Sequence, residues 1–302
     1  CIRDSKEGAR IVGVNLEGPF ISPAKKGAQG DEFIQAPDYD VFKALYDGCG
    51  GIIKLVDIAP ECDVKGGFIE KASKLCTVSV AHTATGYEGA KAAVQAGATH
   101  ATDLFNAMSG MTHRAPGVVG AVFDTDTVRG ELICDGIHIH PAVVRTAFRQ
   151  MPGRICVVSD AMRLSGMPDG QGMLGVNLVT VKDGRATLED GTIAGSVTNL
   201  HDELKNLVSW GIPLEEAVRA MTLTPAKEIG MDEEIGSIAN YVGTLGGAQY
   251  YELLLFNPLG ESKYDALQMD NTFAGTRPTG EEGAARLKWV AAQTPGLSVR
   301  VG

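Results

Sequence analysis

The chain has 302 residues, 44% of them hydrophobic and 21% charged, and a formal net charge of −10. This length can bury a substantial core in one large α/β domain or in two smaller ones. The acidic balance argues against nucleic acid or an anionic membrane surface as the main partner. It is compatible with a phosphorylated small substrate, because one well-placed arginine can hold a phosphate against the overall field.

Six cysteines are spread along the chain without a CxxC pair or a compact framework. They indicate reduced and mostly buried thiols, so we expect a cytoplasmic protein. We find no charged-then-apolar leader and no apolar run long enough to span a bilayer. Because the chain begins at Cys1 and its first strand-like segment follows within about a dozen residues, we expect that it is cut at its N-terminus.

Short apolar runs alternate with helical patterns along the first half of the chain. This alternation implies βαβ units and a parallel sheet. The predicted strands are 10–16, 51–58, 77–81, 99–104, 129–134 and 154–159, and the predicted helices are 38–46, 86–97 and 142–150. A (β/α)₈ barrel needs eight strands. We therefore predict an α/β protein with a TIM-type barrel that lacks its first two strands.

The pattern changes after the sixth predicted strand. Alternation punctuated by glycine predicts a β-hairpin over 173–188, and helices are predicted over 199–210, 214–221 and 225–230. Beyond Ile238, a strand at 250–256 and a helix at 283–293 are the only expectations. We assign residues 1–238 to the barrel and 239–302 to a divergent C-terminal segment, a candidate part of a small β domain.

Four side chains that can bind metal lie at the ends of four of the predicted strands, namely Glu17, His82, Asp103 and Asp160. A barrel brings the ends of its strands together at one rim. Carboxylate and imidazole are ligands that hold Zn²⁺ or a similar ion and leave a position open for water. Such an ion would make that water more acidic and polarise a carbonyl. A carboxylate at Asp160 that is not a ligand could carry the proton from water to a leaving amine.

Each of these residues also has a plain structural interpretation. Glu17 could lie in a solvated turn, and His82 could be a hydrogen-bonded core histidine. Asp103 and Asp160 could cap the elements that follow them, a common role for aspartate after a strand. Of the two histidines in His-x-His, we expect a loop contact for His138 and a surface position for His140.

Eight short motifs occur together and in order. They are LEGPF at 16–20, KKGA at 25–28, AHTAT at 81–85, LFNAM at 104–108, HRAPG at 113–117, DGIH at 135–138, SDA at 159–161 and IAGS at 193–196. Across residues 10 to 238 the chain thereby resembles the N-acetylglucosamine-6-phosphate deacetylase family of the amidohydrolase superfamily. The family has a (β/α)₈ barrel and a small β-sandwich, which implies that the six predicted strands are barrel strands three to eight.

The resemblance implies that Glu17 and His82 are metal ligands and that Asp160 is the general acid and base. Asp103 stands where the family has a second metal-binding histidine, and a carboxylate can still bind the ion. We expect one divalent ion at these three ligands, with Zn²⁺ first and Fe²⁺, Mn²⁺ or Co²⁺ as alternatives. The His-x-His of the family's first strand is absent from this sequence, so we expect no second metal of that kind.

The resemblance also implies a substrate site and a partner. Asn106 and Ala107 would bind the sugar phosphate and Arg114 its phosphate, because guanidinium forks onto phosphate oxygens. Gln29 stands where many members have a histidine. The family forms homodimers in which the residue matching His138 reaches the neighbouring site. The expected substrate-binding residues are Ala28, Gln29, Asn106, Ala107, Arg114, Asp135, Gly136, Ile137, His138, Thr198, Asn199 and Leu200.

The expected activity is hydrolysis of N-acetylglucosamine 6-phosphate to glucosamine 6-phosphate and acetate. Two alternatives stay open. One is a deacetylase for another N-acetyl amino-sugar phosphate, such as the galactosamine isomer, since the sequence does not separate epimers. The other is an inactive sugar-phosphate-binding remnant, for which Asp103 and the expected truncation are the evidence.

Overall fold

A six-stranded parallel sheet is the centre of the fold in the computed structural model, which describes residues 11–230. Its strands follow one another in chain order, and every neighbouring pair is parallel. They are β1 (Val14–Leu16), β2 (Ile53–Ile58), β3 (Thr77–Val80), β4 (His100–Ala101), β5 (Arg129–Leu132) and β6 (Ile155–Val157). Sequential parallel order is that of neighbouring strands in a (β/α)₈ wall. The predicted α/β class and run of parallel strands are confirmed.

Eight α-helices accompany the sheet in the described part of the chain. They are α1 (Tyr39–Gly48), α2 (Phe68–Ala72), α3 (Tyr87–Ala96), α4 (Gly117–Phe123), α5 (Pro141–Gln150), α6 (Leu200–Ser209), α7 (Leu214–Met221) and α8 (Leu223–Glu228). Asp38 begins α1 by accepting from the N–H groups of Asp40 and Val41, a usual role of aspartate at a helix start. No helix among residues 11–230 combines the length and apolar character needed to cross a bilayer.

The main core lies between the sheet and its helices. Phe20, Phe42 and Phe68 are fully or almost fully buried and stack with tilted rings at centroid distances of 5.1 and 5.5 Å. The apolar residues of β2, β3 and β6 complete this core. The described residues from Gly13 onwards belong to one compact unit.

A second, smaller sheet follows β6. It is antiparallel and consists of β7 (Gly170–Leu174), β8 (Asn177–Lys182) and β9 (Arg185–Thr187). The predicted hairpin is therefore part of a three-stranded sheet with its own small core around Val179 and Val181. The second turn, at Asp183–Gly184, has positive φ at both positions, and this matches the turn chemistry of a tight hairpin.

The strand predicted over residues 99–104 is shorter than expected. β4 has two residues, because the chain leaves the extended conformation at Asp103, where φ is 52°. The N–H of Thr102 donates to the side chain of Ser79 on β3 and its hydroxyl donates to the side chain of Asp57 on β2, so neither donor of Thr102 is used in strand pairing. The predictions for residues 239–302 lie outside the described residues, and the domain boundary at 238 stays a prediction.

Candidate functional site

Three predicted metal ligands meet at the C-terminal ends of the strands. Glu17 follows β1, His82 follows β3 and Asp103 follows β4, and their ligand atoms all lie within 4.8 Å of one another. Nε2 of His82 is 3.0 Å from Oε1 of Glu17 and 3.9 Å from Oδ2 of Asp103. Parallel strands in sequential order bring these distant residues together. The three predicted ligands therefore form one group.

His82 is oriented to present one ring nitrogen to this group. Its Nδ1 lies 2.8 Å from the carbonyl oxygen of Lys25. Because a carbonyl can only accept, Nδ1 carries the hydrogen, and Nε2 is the nitrogen left for a ligand. Burial lowers the pKa of His82, but the hydrogen bond and charge of Glu17, followed by the charge of Asp103, raise it to about 9. A cation bound at this position would take the place of that proton.

The group carries more negative than positive charge. Burial, and then the carboxylates of Glu17 and Asp160, raise the pKa of Asp103 well above its usual range. Burial opposes ionisation of Glu17 too, but its hydrogen bond to His82 lowers its pKa. Carboxylates crowded in this way are favoured by a divalent cation between them. Two carboxylate ligands and one imidazole thus fit the ion that the sequence predicts.

Asp160 lies beside this group without belonging to it. It follows β6 at φ 46°, and its carbonyl accepts from the N–H of Ser196 at 2.8 Å. Gly195, at φ 61°, lies so close that an added Cβ would be 3.3 Å from that carbonyl. Burial, and then the charge of Glu17, raise the pKa of Asp160 to about 6. The carboxylate is available for proton transfer, and the IAGS motif supports its backbone.

The structural alternatives for the two aspartates are not observed. None of the described helices has Asp103 or Asp160 as its N-cap residue. Glu17 has 35% of its side chain exposed and bonds His82 and Gln29, so it is not a freely solvated turn residue. His140 is exposed and begins α5 by accepting from the N–H of Ala142, which agrees with the surface position expected for it.

One cavity of about 770 Å³ opens over the four residues. Five of the predicted substrate-binding residues line it, namely Ala28, Gln29, Asn106, Ala107 and His138. Nδ2 of Asn106 is buried and has no hydrogen-bond partner within residues 11–230, so a donor is free for a ligand. His138 is held by its Nδ1, which lies 2.7 Å from Oδ2 of Asp135.

The other predicted substrate-binding residues do not line this cavity. Arg114 is exposed on the loop before α4 and forms no ion pair with any described residue. Asp135 orients the loop behind His138 by accepting from the N–H groups of Ile137 and His138. Asn199 caps α6 through its side chain. The remaining ones are Gly136, Ile137, Thr198 and Leu200.

The apolar wall of the cavity is not expected from the sequence pattern alone. It is formed by Phe33, Met162, Leu174, Val176 and Ile193. Most of these come from the small antiparallel sheet and the segments next to it, and Asn177 ties that sheet to the carbonyl of Ala28 at 2.9 Å. A signal for this wall was present in the apolar residues around the turn at Gly175. Only the tertiary position of the sheet shows that they face a site.

Residues 2–240 match the sequence model of a family described as "Amidohydrolase family". The chain belongs to this family. The amidohydrolase family is metal-dependent, and the Glu17–His82–Asp103 group is a possible metal site in this member.

Two relatives of this amidohydrolase chain are named for the deacetylation of an amino-sugar phosphate. It is 36% identical over 238 residues to an N-acetylglucosamine-6-phosphate deacetylase of Bacillus subtilis (strain 168), covering 76% of this chain and 59% of the relative. It is 32% identical over 236 residues to an N-acetylgalactosamine-6-phosphate deacetylase of Escherichia coli O157:H7, covering 76% and 62%.

A solved structure of a Mycobacterium smegmatis N-acetyl-D-glucosamine-6-phosphate deacetylase variant, in complex with N-acetyl-D-glucosamine-6-phosphate, is similar with a TM-score of 0.69 and 33% identity. The match covers 72% of this chain and 59% of that one. The predicted amidohydrolase fold is thereby confirmed. The chain spans about three fifths of the length of these relatives.

Proposed function

We propose that this chain carries the catalytic site of a deacetylase that hydrolyses N-acetylglucosamine 6-phosphate to glucosamine 6-phosphate and acetate. The observation that carries the proposal is the meeting of the Glu17–His82–Asp103 group with a separate carboxylate, Asp160, in one cavity. The named activity of the similar proteins supports it.

Glu17, His82 and Asp103 would hold one divalent ion, Zn²⁺ in our proposal, with Fe²⁺, Mn²⁺ and Co²⁺ as alternatives. Such an ion supplies a Lewis acid that polarises an amide carbonyl and lowers the pKa of water. Two of the three are already oriented for this, because the carbonyl of Lys25 fixes the ring of His82 and Gln29 donates to Oε1 of Glu17 at 3.2 Å.

Asp160 would act as general base and then as general acid. Its carboxylate would accept a proton from the attacking water and deliver it to the nitrogen that leaves the acetyl group. A pKa raised to about 6 by burial and by Glu17 makes it a better base than an exposed aspartate, while it is still ionised near neutral pH. Its left-handed backbone and the neighbouring Gly195 keep it facing the cavity.

The substrate would be held by its sugar and phosphate groups. The free Nδ2 of Asn106, the backbone at Ala107 and the ring of His138 line the cavity, and the exposed guanidinium of Arg114 would bind phosphate. Binding energy from the phosphate end would orient the amide at the other end. Ala28, Gln29, the loop at 135–137 and residues 198–200 complete the proposed contacts.

We further propose that the protein is cytoplasmic and forms a homodimer in which His138 reaches the neighbouring site. The free cysteines of the described part support a reducing compartment. The galactosamine isomer is a second candidate substrate, because a relative named for it is 32% identical to this chain.

The first experiment is elemental analysis of the purified protein beside an assay of acetate release. Both N-acetyl amino-sugar phosphates are tested, with and without added Zn²⁺. We expect about one metal per chain and metal-dependent release from the glucosamine substrate, since the predicted ligands form one site. A folded protein that binds no metal and releases no acetate would contradict the proposal. Faster acetate release from the galactosamine isomer would mean that this isomer is the substrate, and the proposed reaction would stay the same.

A further inference from the structure

A layer of polar side chains crosses the first four strands of the large sheet, next to the metal group. Its members, named here the inner polar layer, are Asn15 on β1, Asp57 on β2, Ser79 on β3 and Thr102 after β4. Asp57 and Ser79 are direct neighbours in the strand register. Asp57 has 0% of its surface exposed. None of the four lines the cavity, so the proposed reaction does not use them directly.

The hydrogen bonds of this layer run in one direction and end at Asp57. The N–H of Thr102 donates to Oγ of Ser79 at 2.8 Å, and the hydroxyl of Thr102 donates to Oδ1 of Asp57 at 3.0 Å. A threonine hydroxyl has one hydrogen, and Thr102 gives it to Asp57. Ser79 must therefore donate to Oγ1 of Thr102, 2.8 Å away. Each hydroxyl hydrogen of the layer then has an acceptor, provided that Asp57 is present.

Asp57 connects two strands that carry proposed metal ligands. Thr102 is the residue before Asp103, where the chain turns out of β4 with φ 52°. On the other side, Nδ2 of Asn15 donates to Oδ2 of Asp57 at 3.3 Å. Asn15 precedes Glu17 by two positions, so the two side chains share a face of the chain. One carboxyl group therefore restrains the backbone on both sides of the metal group.

The position of this carboxyl group has an energetic cost. Burial, and then the charge of Glu17, raise the pKa of Asp57 to about 8, while the hydrogen bond from Thr102 lowers it. The neighbouring residues Val56 and Ile58 are fully buried and apolar, and an apolar residue here would avoid the desolvation of a carboxyl group. Packing alone gives no reason for an acid at this point of β2.

We propose that Asp57 is a positioning residue of the metal centre, which acts through Thr102 and Asn15 to set the places of Asp103 and Glu17. This inference rests on the metal ligands assigned under the proposed function. Groups behind the ligands of a metal commonly fix the orientation of those ligands, and their loss lowers metal affinity about 10- to 100-fold.

The test is the metal dissociation constant of the full 302-residue chain, measured for Zn²⁺ and Mn²⁺ by competition with a chromophoric chelator. We expect Asp57→Asn to weaken binding about 10- to 100-fold, because the new amide group opposes the amide of Asn15. Thr102→Val removes the hydroxyl that donates to Asp57 and should also weaken metal binding. Thr102→Ser keeps this hydroxyl and should bind metal as tightly as wild type. With the metal at saturation, KM for the sugar phosphate should be unchanged.

The matched control is Glu228→Gln, which also removes a buried carboxylate. Glu228 pairs with His100 and Arg129, and neither of them is a proposed metal ligand. It should lower Tm and leave the metal dissociation constant as it is. An Asp57→Asn protein with a lower Tm and wild-type metal affinity would overturn the positioning role and leave the proposed function standing. A wild-type chain that binds no metal would overturn both. Should Asp57→Asn fail to fold, wild-type affinity in Thr102→Val would overturn the positioning role.

Discussion

Two groups of buried charges lie in the same barrel wall and differ in their balance of sign. The first is the metal group with Asp160, at the C-terminal ends of the strands. The second, named here the His100 cluster, joins the beginnings of β4 and β5 to α8, and consists of His100, Arg129, Glu131 and Glu228. In the His100 cluster, Nε2 of His100 is 3.1 Å from Glu131, and Arg129 is 2.5 Å from Glu228.

The two groups respond to burial in opposite ways. Burial alone would raise the pKa of Glu228, but His100 and Arg129 lower it to about 2. The same desolvation, joined by the carboxylates of Glu17 and Asp160, raises the pKa of Asp103 well above its usual range. The His100 cluster contains its own counter-charges, whereas three carboxylates of the site share one imidazole. The difference indicates that the His100 cluster is structural and that the site is built to receive a cation.

The largest effect is expected from the carboxylate that has no ligand role. Asp160→Asn removes the proposed proton carrier and leaves the three ligands, so kcat should fall about 10²- to 10⁴-fold. Metal content should stay the same. Asp126→Asn, at an exposed carboxylate that does not line the cavity, is the control and should keep full activity. Loss of metal together with activity would show that Asp160 belongs to the ligand set.

A second substitution, Glu228→Ala, removes the charge balance of the His100 cluster. Glu228→Ala leaves the buried His100 and the partly exposed Arg129 without their shared carboxylate and should cost about 3–5 kcal/mol of unfolding free energy. The folded pKa of Glu228, about 2, lies below its ordinary value of 4.5. Its contribution is therefore complete above pH 4.5 and is lost as the pH falls towards 2. Urea unfolding at a series of pH values should show the variant and wild type converging in acid.

A surface pair provides the control for that measurement. Glu215 and Arg219 are 3.9 Å apart on α7, with 80% and 50% of their side chains exposed. Glu215→Ala should leave the unfolding curve unchanged, because exposed ion pairs contribute little. A small effect of Glu228→Ala, equal to that of Glu215→Ala, would mean that the His100 cluster is not a structural ion group.

The meeting of Glu17, His82 and Asp160 follows from the sequence more directly than the shape of their surroundings does. Apolar runs stop at these residues, which predicts strand ends there, and parallel topology brings strand ends together. The shortening of β4 at Asp103 was not predictable in this way. It depends on hydrogen bonds from Thr102 to Ser79 and Asp57, which are 23 and 45 residues away in the sequence.

Two short helices and one buried acid are also not evident from the sequence, for local reasons. α4 contains Gly117 and Gly120, and glycine lowers helix propensity, so its apolar residues did not give a helical signal. α2 has five residues, too few to show periodicity. Glu203 lies one turn into α6, where acids are usual and exposed. Its complete burial depends on how α6 packs against the segment after β5.

Glu203 extends the comparison to a buried acid without any counter-charge. It is fully buried, and neither carboxylate oxygen has a hydrogen-bond partner within residues 11–230. Burial, and then the carboxylates of Asp135 and Asp160, raise its pKa from 4.5 to about 8. The unfolded chain releases this proton above pH 4.5 and the folded protein keeps it, so wild-type stability falls between pH 4.5 and 8.

Glu203→Gln removes this titration and keeps the size of the side chain. Its unfolding free energy should match that of wild type at pH 4.5 and exceed it by a few kcal/mol at pH 8. Chemical denaturation at both pH values measures the difference. An advantage that does not change with pH would mean that the pKa of Glu203 is not raised by folding. A Glu203→Gln protein that is less stable than wild type at pH 8 would mean that Glu203 is ionised beside a cationic partner, and it would then resemble the His100 cluster.

The smallest expected effect separates a structural role from a substrate role at the start of α6. Oδ1 of Asn199 accepts from the N–H of Asp202 at 3.0 Å, and Asn199 is also among the predicted substrate-binding residues. Asn199→Ala should cost about 1 kcal/mol of stability through loss of the cap. Asn199→Ser keeps an acceptor for the cap without placing a second carboxylate beside Asp202, and should retain most of the stability. Since the cap uses Oδ1 and Nδ2 donates to Asp202 at 2.8 Å, neither atom points to a ligand without breaking these bonds. A wild-type KM in Asn199→Ser would therefore assign the residue to the helix, and a raised KM at unchanged Tm would assign it to the substrate.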